Sequence, residues 1–407
     1  MKGSSKPRKN ITLSQNALLP KEEMLEVARE KKRLTIGVPL ERENLENRVA
    51  LAPHAVELLV GNGHTVYIQS TAGDSANFSD IEYSEAGGSI TEDVKDIYNS
   101  DIVIKVAPPT QEEISLMKGS QILISSLLIG TQEPEYIKAL IEKKITAIAF
   151  EYLRDRENKF CPVTESMSEI SGAASILIAA EYLSNANRGK GEMLGGIAGI
   201  NPTDVVVLGA SSAGECAART ALGLGAIVRV FDHSIYKLRE LQYKLGQPIY
   251  TSIIQPRVLH KALKIADVVI GALPFSEESR FKVSLDSIMQ MKPNSVIVDI
   301  GMDHGGCFET SEVTTLEAPT FKKFNVIHYC VPNIPSRVSR TASYALSNIF
   351  GPLLIDIAEM GGINHIISEN IGFRNGVYLY NGILTKEAIG RKFGLPSRDI
   401  DLLLAAF

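Results

Sequence analysis

From Leu34 onward, short apolar runs alternate with stretches of helical spacing. LTIGVPL (34–40), HTVYIQS (64–70), DIVIKVA (101–107), QILISSLL (121–128) and ITAIAF (145–150) have the length and β-branched content of strands. Between them, APHAVELLVGNG (52–63) and EPEYIKALIEKK (133–144) carry apolar residues one helical turn apart. Such alternation predicts an α/β fold with a parallel sheet. A long helix is expected over 166–188, capped by Ser166, and others over 341–362 and 384–395. The segment before Leu34 is different: a polar, basic start leads to LPKEEMLEVAREKKR, which has helical spacing and a basic end.

A second alternating unit begins at DVVVLG, after the glycine-rich GEMLGGIAGINP (191–202). DVVVLGASSAGECAARTALGLGAIVRVFD (204–232) reads as strand, tight turn, small-residue helix and strand, ending in an acid. That is the plan of a dinucleotide-binding unit, with Ser211 where the usual motif has its middle glycine. Gly209 would permit the tight turn and Gly214 the close packing of helix on sheet. The helix start around Ala213 would offer backbone N–H groups to a pyrophosphate. Asp232 would accept from ribose hydroxyls, which favours NAD over NADP, while His233 and Lys237 leave room for the phosphorylated form. A second candidate follows SVIVDI: GMDHGG (301–306) sets Asp303 beside His304 at the expected end of a buried strand.

Composition narrows the class. At 44% hydrophobic and 22% charged, the 407 residues suffice for two or three ordinary globular domains. The net charge of -5 gives no electrostatic case for nucleic acid. Cys161, Cys216, Cys307 and Cys330 are scattered, without metal-site or disulfide spacing. No apolar run is long enough to cross a membrane, and the N-terminus lacks the apolar core of a signal peptide. A cytoplasmic location is expected.

Several blocks together resemble the alanine dehydrogenases, which are related to the nucleotide-binding alpha subunit of transhydrogenases. They are IGVPLERENLENRVALAP, DIVIKVAPP, SMSEISG, VVVLGASSAG, VDIGMDHGGCFE, YCVPNIPSRVSRTASYALSN and NGILTKEAIGRKFGL. The resemblance spans roughly residues 34–395. It implies a Rossmann domain (166–339) inserted into a split α/β substrate domain (34–165 and 340–407), with residues 1–33 as an extension. It implies an amino-acid/2-oxo-acid substrate bound by Arg48 and Lys105, with Met167 and Asn333 in the same cleft. NAD would meet Ser168, Gly209, Ser211, Ala213, Gly214, Asp232, Lys237, Leu273, Asp303 and Asn333. Asp303, His304 and Lys105 would handle protons. A homo-oligomer, hexamer or dimer, is also implied.

The family's catalytic histidine falls on Leu128, and no histidine lies between His64 and His233. The family's tyrosine before Glu151 is Phe150, and the family's glutamine after the catalytic acid is His304. Leucine cannot move a proton, so several readings stand: an NAD-dependent dehydrogenase of alanine or a related amino acid, a transhydrogenase-like or regulatory NAD-binding protein, and an opine- or saccharopine-type enzyme.

Overall fold

The computed structural model describes residues 31–42, 46–273 and 281–405, together with the backbone but not the side chain of His304. Most of the N-terminal extension therefore lies outside the described residues. Its last residues dock on the body: the Lys32 amide donates to the Ala358 carbonyl (3.1 Å), and Lys31 pairs with Glu359 at 2.7 Å.

Strands β1 (Thr35–Val38), β2 (Thr65–Gln69), β3 (Ser89–Thr91), β4 (Ile102–Ile104), β5 (Ile122–Ser125) and β6 (Thr146–Ala149) form one parallel array. Ile36, Ile102, Ile104, Ile124 and Ile148 are fully buried, as both faces of a parallel sheet require. The chain then leaves for a second sheet. Its strands are β7 (Asp204–Leu208), β8 (Ile227–Asp232), β9 (Tyr250–Ile253), β10 (Val268–Gly271), β11 (Val296–Asp299), β12 (Thr320–Lys323) and β13 (Val326–Tyr329). Their order is β12-β13-β11-β10-β7-β8-β9. Read from β9 to β13, this is the doubly wound order of a Rossmann sheet, closed by the antiparallel β12. The C-terminal strands β14 (Val377–Tyr380) and β15 (Ile383–Leu384) return to the first sheet and pair beside β6.

Two long helices run between the sheets' territories, Pro162–Leu183 and Ser339–Glu359. The first corrects the expected start at Ser166. Pro162 sits at the first helical position, where its missing N–H costs nothing, so the helix begins a turn earlier and Cys161 takes the cap position. It ends at Leu183, because Ser184 turns extended. No single helix among the described residues is long and apolar enough to cross a membrane.

One irregular stretch decides where the site lies. The amides of Asn47, Val49 and Ala52 lie outside any strand. They donate to Ser336 (2.8 Å), Ser343 (2.9 Å) and Ser347 (2.6 Å). Ser343 and Ser347 are one helical turn apart on Ser339–Glu359, so a hydroxyl stripe replaces the missing ladder. Arg48 is thereby fixed between the two sheets.

Candidate active site

The turn after β7 is shaped by close approach. Gly209 has φ +108°, and a Cβ there would lie 2.3 Å from the Ala272 carbonyl oxygen. A Cβ on Gly214 would lie 1.9 Å from the Gly209 carbonyl oxygen. Ser211 caps the helix Ser212–Gly223 by position, and its hydroxyl donates to the Ala272 carbonyl (3.2 Å). Ala213 is buried in the helix's first turn, and Leu273 follows Ala272 just past β10. Asp232, at the end of β8, accepts from the Ala210 amide (2.8 Å) and the Ser234 amide (2.7 Å). It thus ties the turn to the second strand. The Lys237 amide donates to the Ser234 hydroxyl at the start of the next helix.

These residues fit a dinucleotide. The turn leaves no room for side chains at its glycines, a helix of ordinary length starts at it, and an acid closes the second strand. One group was missed by the sequence reading. Glu165 accepts a hydrogen bond from the hydroxyl of Ser212, the helix's first residue, so a carboxylate of this chain sits at the turn.

A second cluster joins three segments. The Arg48 Nε and Nη2 donate to the two oxygens of Glu46 (2.7 and 2.6 Å) in a fork. Asn333 Nδ2 donates to Glu46 Oε2 (3.0 Å), and the Asn333 amide donates to Asp303 Oδ1 (3.0 Å). Arg48 Nη1 faces the Met167 sulfur at 3.3 Å. Asp303, Asn333, Arg48 and Met167 are therefore brought together, with Glu46 as the link. Burial works against the Arg48 charge, but Glu46 outweighs it, with Glu41 and Asp303 adding, so its pKa is raised. Ser168 follows Met167 on the long helix and is half-buried.

The loop carrying Asp303 hangs on a different acid. Buried Asp299 accepts from the amides of Gly301 (3.0 Å) and Cys307 (2.8 Å) and from the Ser311 hydroxyl. Asp299 holds the loop while Asp303, four residues on, is exposed. The side chain of His304 lies outside the described residues.

Lys105 meets the Arg48 cluster through Glu41, which acts on both cations. The lysine is 1% exposed, with its ammonium 2.9 Å from Glu113 and 3.6 Å from Glu41. Glu113 also closes a capping box with Thr110. Glu41 accepts from the amides of Val106 and Ala107. Burial pushes the Glu41 carboxyl up to about 7, against Lys105 and with help from Glu46. Leu128 is 48% exposed and has φ +44°. Its amide and that of Leu127 donate to Glu151 Oε1 (3.3 and 2.8 Å), while Glu151 Oε2 is buried without a hydrogen-bond partner.

Glu41, Glu46, Glu113, Glu151 and Glu165 were all absent from the sequence-derived site. One signal was available: Glu46 stands two residues before Arg48, the arginine expected to hold the substrate carboxylate, and a carboxylate that near can brace it.

Family models of the alanine dehydrogenase/PNT N-terminal and C-terminal domains match residues 37–171 and 175–387. The chain belongs to the alanine dehydrogenase/PNT family. An alanine dehydrogenase of Methanococcus maripaludis is 39% identical, over 89% of this chain and 97% of its own. One of Staphylococcus saprophyticus is 36% identical, over 91% of this chain and 100% of its own. A solved L-alanine dehydrogenase superposes with a TM-score of 0.82 at 34% identity, over 88% of this chain and 99% of its own. A transhydrogenase from Sinorhizobium meliloti shares the fold, with a TM-score of 0.73 at 21% identity over 87% and 99%. Of these relatives, those at 34–39% identity are all alanine dehydrogenases.

Proposed function

We propose that the protein is an NAD-dependent amino-acid dehydrogenase that interconverts L-alanine, or a related small amino acid, with its 2-oxo acid and ammonia. One observation carries this reading. The Arg48 guanidinium is 12% exposed and braced by Glu46, yet among the described residues its Nη1 meets a thioether, a weak acceptor. A strong fixed donor against a weak acceptor is what a substrate carboxylate would complete.

NAD would lie on the Gly209–Gly214 turn, with Ser168, Ser211, Ala213, Asp232, Lys237, Leu273, Asp303 and Asn333 around it, and would supply or accept the hydride. Asp232 supports NAD over NADP, because a ribose phosphate beside a carboxylate at the turn is repelled. Arg48 anchors the substrate carboxylate. Asn333 and Asp303 orient the reacting end from the opposite side. Lys105, paired with Glu113 and Glu41, is the second cation for the substrate carboxylate and a candidate for proton handling. His304 adjoins Asp303 and is a second candidate for proton transfer. Met193, Ile197 and Ile200 are exposed on the glycine-rich segment 191–202, an apolar surface that supports assembly with further copies.

The test is a panel of small 2-oxo acids with ammonium, NADH and NADPH, followed by loss of reduced-nicotinamide absorbance. Turnover of pyruvate or a close relative with NADH supports the reading. A second reading is favoured by Leu128: a protein that binds NAD without amino-acid turnover. NADH binding with no turnover across the whole panel would select it.

A further inference from the structure

The geometry points to Glu41 as the group that takes up a proton when an anionic 2-oxo acid enters the cleft. That proton is the one which reductive amination consumes. This inference rests on the reading of the protein as an amino-acid dehydrogenase.

The charge balance around Arg48 motivates it. Among the described residues, four carboxyl groups, Glu41, Glu46, Glu113 and Asp303, act on two cations, Arg48 and Lys105. Three are committed elsewhere. Glu46 is forked to Arg48 and accepts from Asn333. Glu113 takes the nearer bond from Lys105 and closes its helix cap, both through Oε2, while its Oε1 is buried without a hydrogen-bond partner. Asp303 is exposed to water and accepts from the Asn333 amide. The Glu41 side chain is 5% exposed, accepts from two backbone amides among the described residues, and stands 3.6 Å from a lysine that already serves Glu113.

The ionisable groups facing Glu41 come from every side. Lys105 follows β4, Glu113 lies on the helix Gln111–Leu116, and Tyr98 stands behind Glu113 on the helix Val94–Tyr98. Glu46 and Arg48 face it from the segment that follows. Exposed Arg42 adjoins it in the chain. A substrate carboxylate arriving at Arg48 adds another negative charge to this set. The like charge favours the neutral form of the buried carboxyl held by the longest ion pair of the set, which is Glu41.

The reaction needs that proton. The 2-oxo acid carbonyl and ammonium condense to an iminium ion and water. A hydride from the reduced nicotinamide forms the new C–H bond, and the nicotinamide is oxidised. The nitrogen is left as a neutral amine, and one further proton converts it to the ammonium of the amino acid. With leucine at 128, no imidazole stands on that wall to hold it.

The experiment is isothermal titration calorimetry of the full-length NADH-loaded protein with oxamate, an unreactive mimic of a 2-oxo acid. It is run in buffers of different ionisation enthalpy across the neutral pH range. The expected result is uptake of a fraction of a proton per oxamate bound, its loss in Glu41→Gln, and a shifted pH midpoint in Glu41→Asp. Oxamate binding without uptake in the natural protein overturns the assignment, as does uptake that Glu41→Gln leaves unchanged. Should Glu41→Gln fail to hold NADH, an unmoved midpoint in Glu41→Asp overturns it. Failure of the natural protein to bind oxamate at all overturns the dehydrogenase reading as well, so the two failures are distinct.

Discussion

Gly172 lies against Ala213 so closely that a Cβ on it would fall 2.1 Å from the Ala213 carbonyl oxygen. The helix Pro162–Leu183 therefore crosses the helix Ser212–Gly223 backbone to backbone. One end of that long helix carries Met167, which touches Arg48, and Glu165, which bonds Ser212. The two halves of the site, anion cradle and arginine fork, are thus set against each other by a single rigid element. The glycine at the crossing removes the side chain that would hold the helices apart.

Gly172→Ala is the direct check. The added methyl meets backbone rather than a flexible side chain, so one helix has to shift. Overpacking of this kind costs about 1–3 kcal/mol. A lower denaturant midpoint and weaker NADH binding are expected together. An unaltered midpoint would show that the crossing is loose.

Arg48→Lys keeps the charge but not the fork. Lysine cannot reproduce the paired bonds to Glu46, and Glu46 also holds Asn333. Weakening of 2-oxo-acid binding by about 1.5–3 kcal/mol is expected, with NADH affinity unchanged. Calorimetry with oxamate on the NADH-loaded variant measures it. Equal affinity in the variant would remove Arg48 from the substrate site.

Much of this architecture is legible in the chain. The runs ending at Val38, Ile104, Ser125 and Ala149 are apolar because both sheet faces are covered, and that pattern needs no tertiary knowledge. The turn at Gly209 announces itself because a strand, two spaced glycines and a distant acid are local in sequence. The acids around Arg48 and Lys105 are different. Nothing local in LERENLEN marks Glu41 for burial, and only the arginine two residues on hints at the task of Glu46. Glu41 and Glu46 are buried only because residues 105–107 and Asn333 arrive from remote parts of the chain. The serines at 336, 343 and 347 are similar: their task appears only when the segment 47–52 lies along them.

His328 predicts an acid limb in stability. It is buried in β13, paired with Thr310 at 2.8 Å and with the Val326 carbonyl at 3.1 Å. Burial holds its pKa down at about 4 from 6.5; Lys323 lowers it too, while the Val326 carbonyl and Glu312 oppose. Below 6.5 the unfolded chain takes a proton that the folded one refuses. Stability is therefore lost as pH falls from about 6.5 to about 4, by up to about 3 kcal/mol, and this contribution then levels off. Urea melts of the natural protein and of His328→Gln across that window should differ in slope, with the variant flatter. Parallel slopes would place the acid limb on other groups.

Leu128 joins a strained backbone to the position where the resemblance places a histidine. Its φ of +44° is the left-handed region, where a bulky apolar residue is costly and histidine or asparagine is better tolerated. The amide is fixed there by Glu151, whose second oxygen is buried without a hydrogen-bond partner. The backbone thus holds a shape that suits a polar side chain better than leucine. Leu128→His is expected to fold at least as well as the natural protein, because the side chain is half exposed and the conformation suits it. It is also expected to raise reductive amination of pyruvate by about 10²-fold, the low end of what a positioned acid–base group contributes. Leu128→Gly separates the two effects: it relieves the backbone without adding an imidazole, so it should raise stability and leave the rate low. A gain in rate with glycine as large as with histidine would mean that strain, not proton transfer, limits turnover. No gain with either would leave the reacting proton to the carboxyl groups around Arg48.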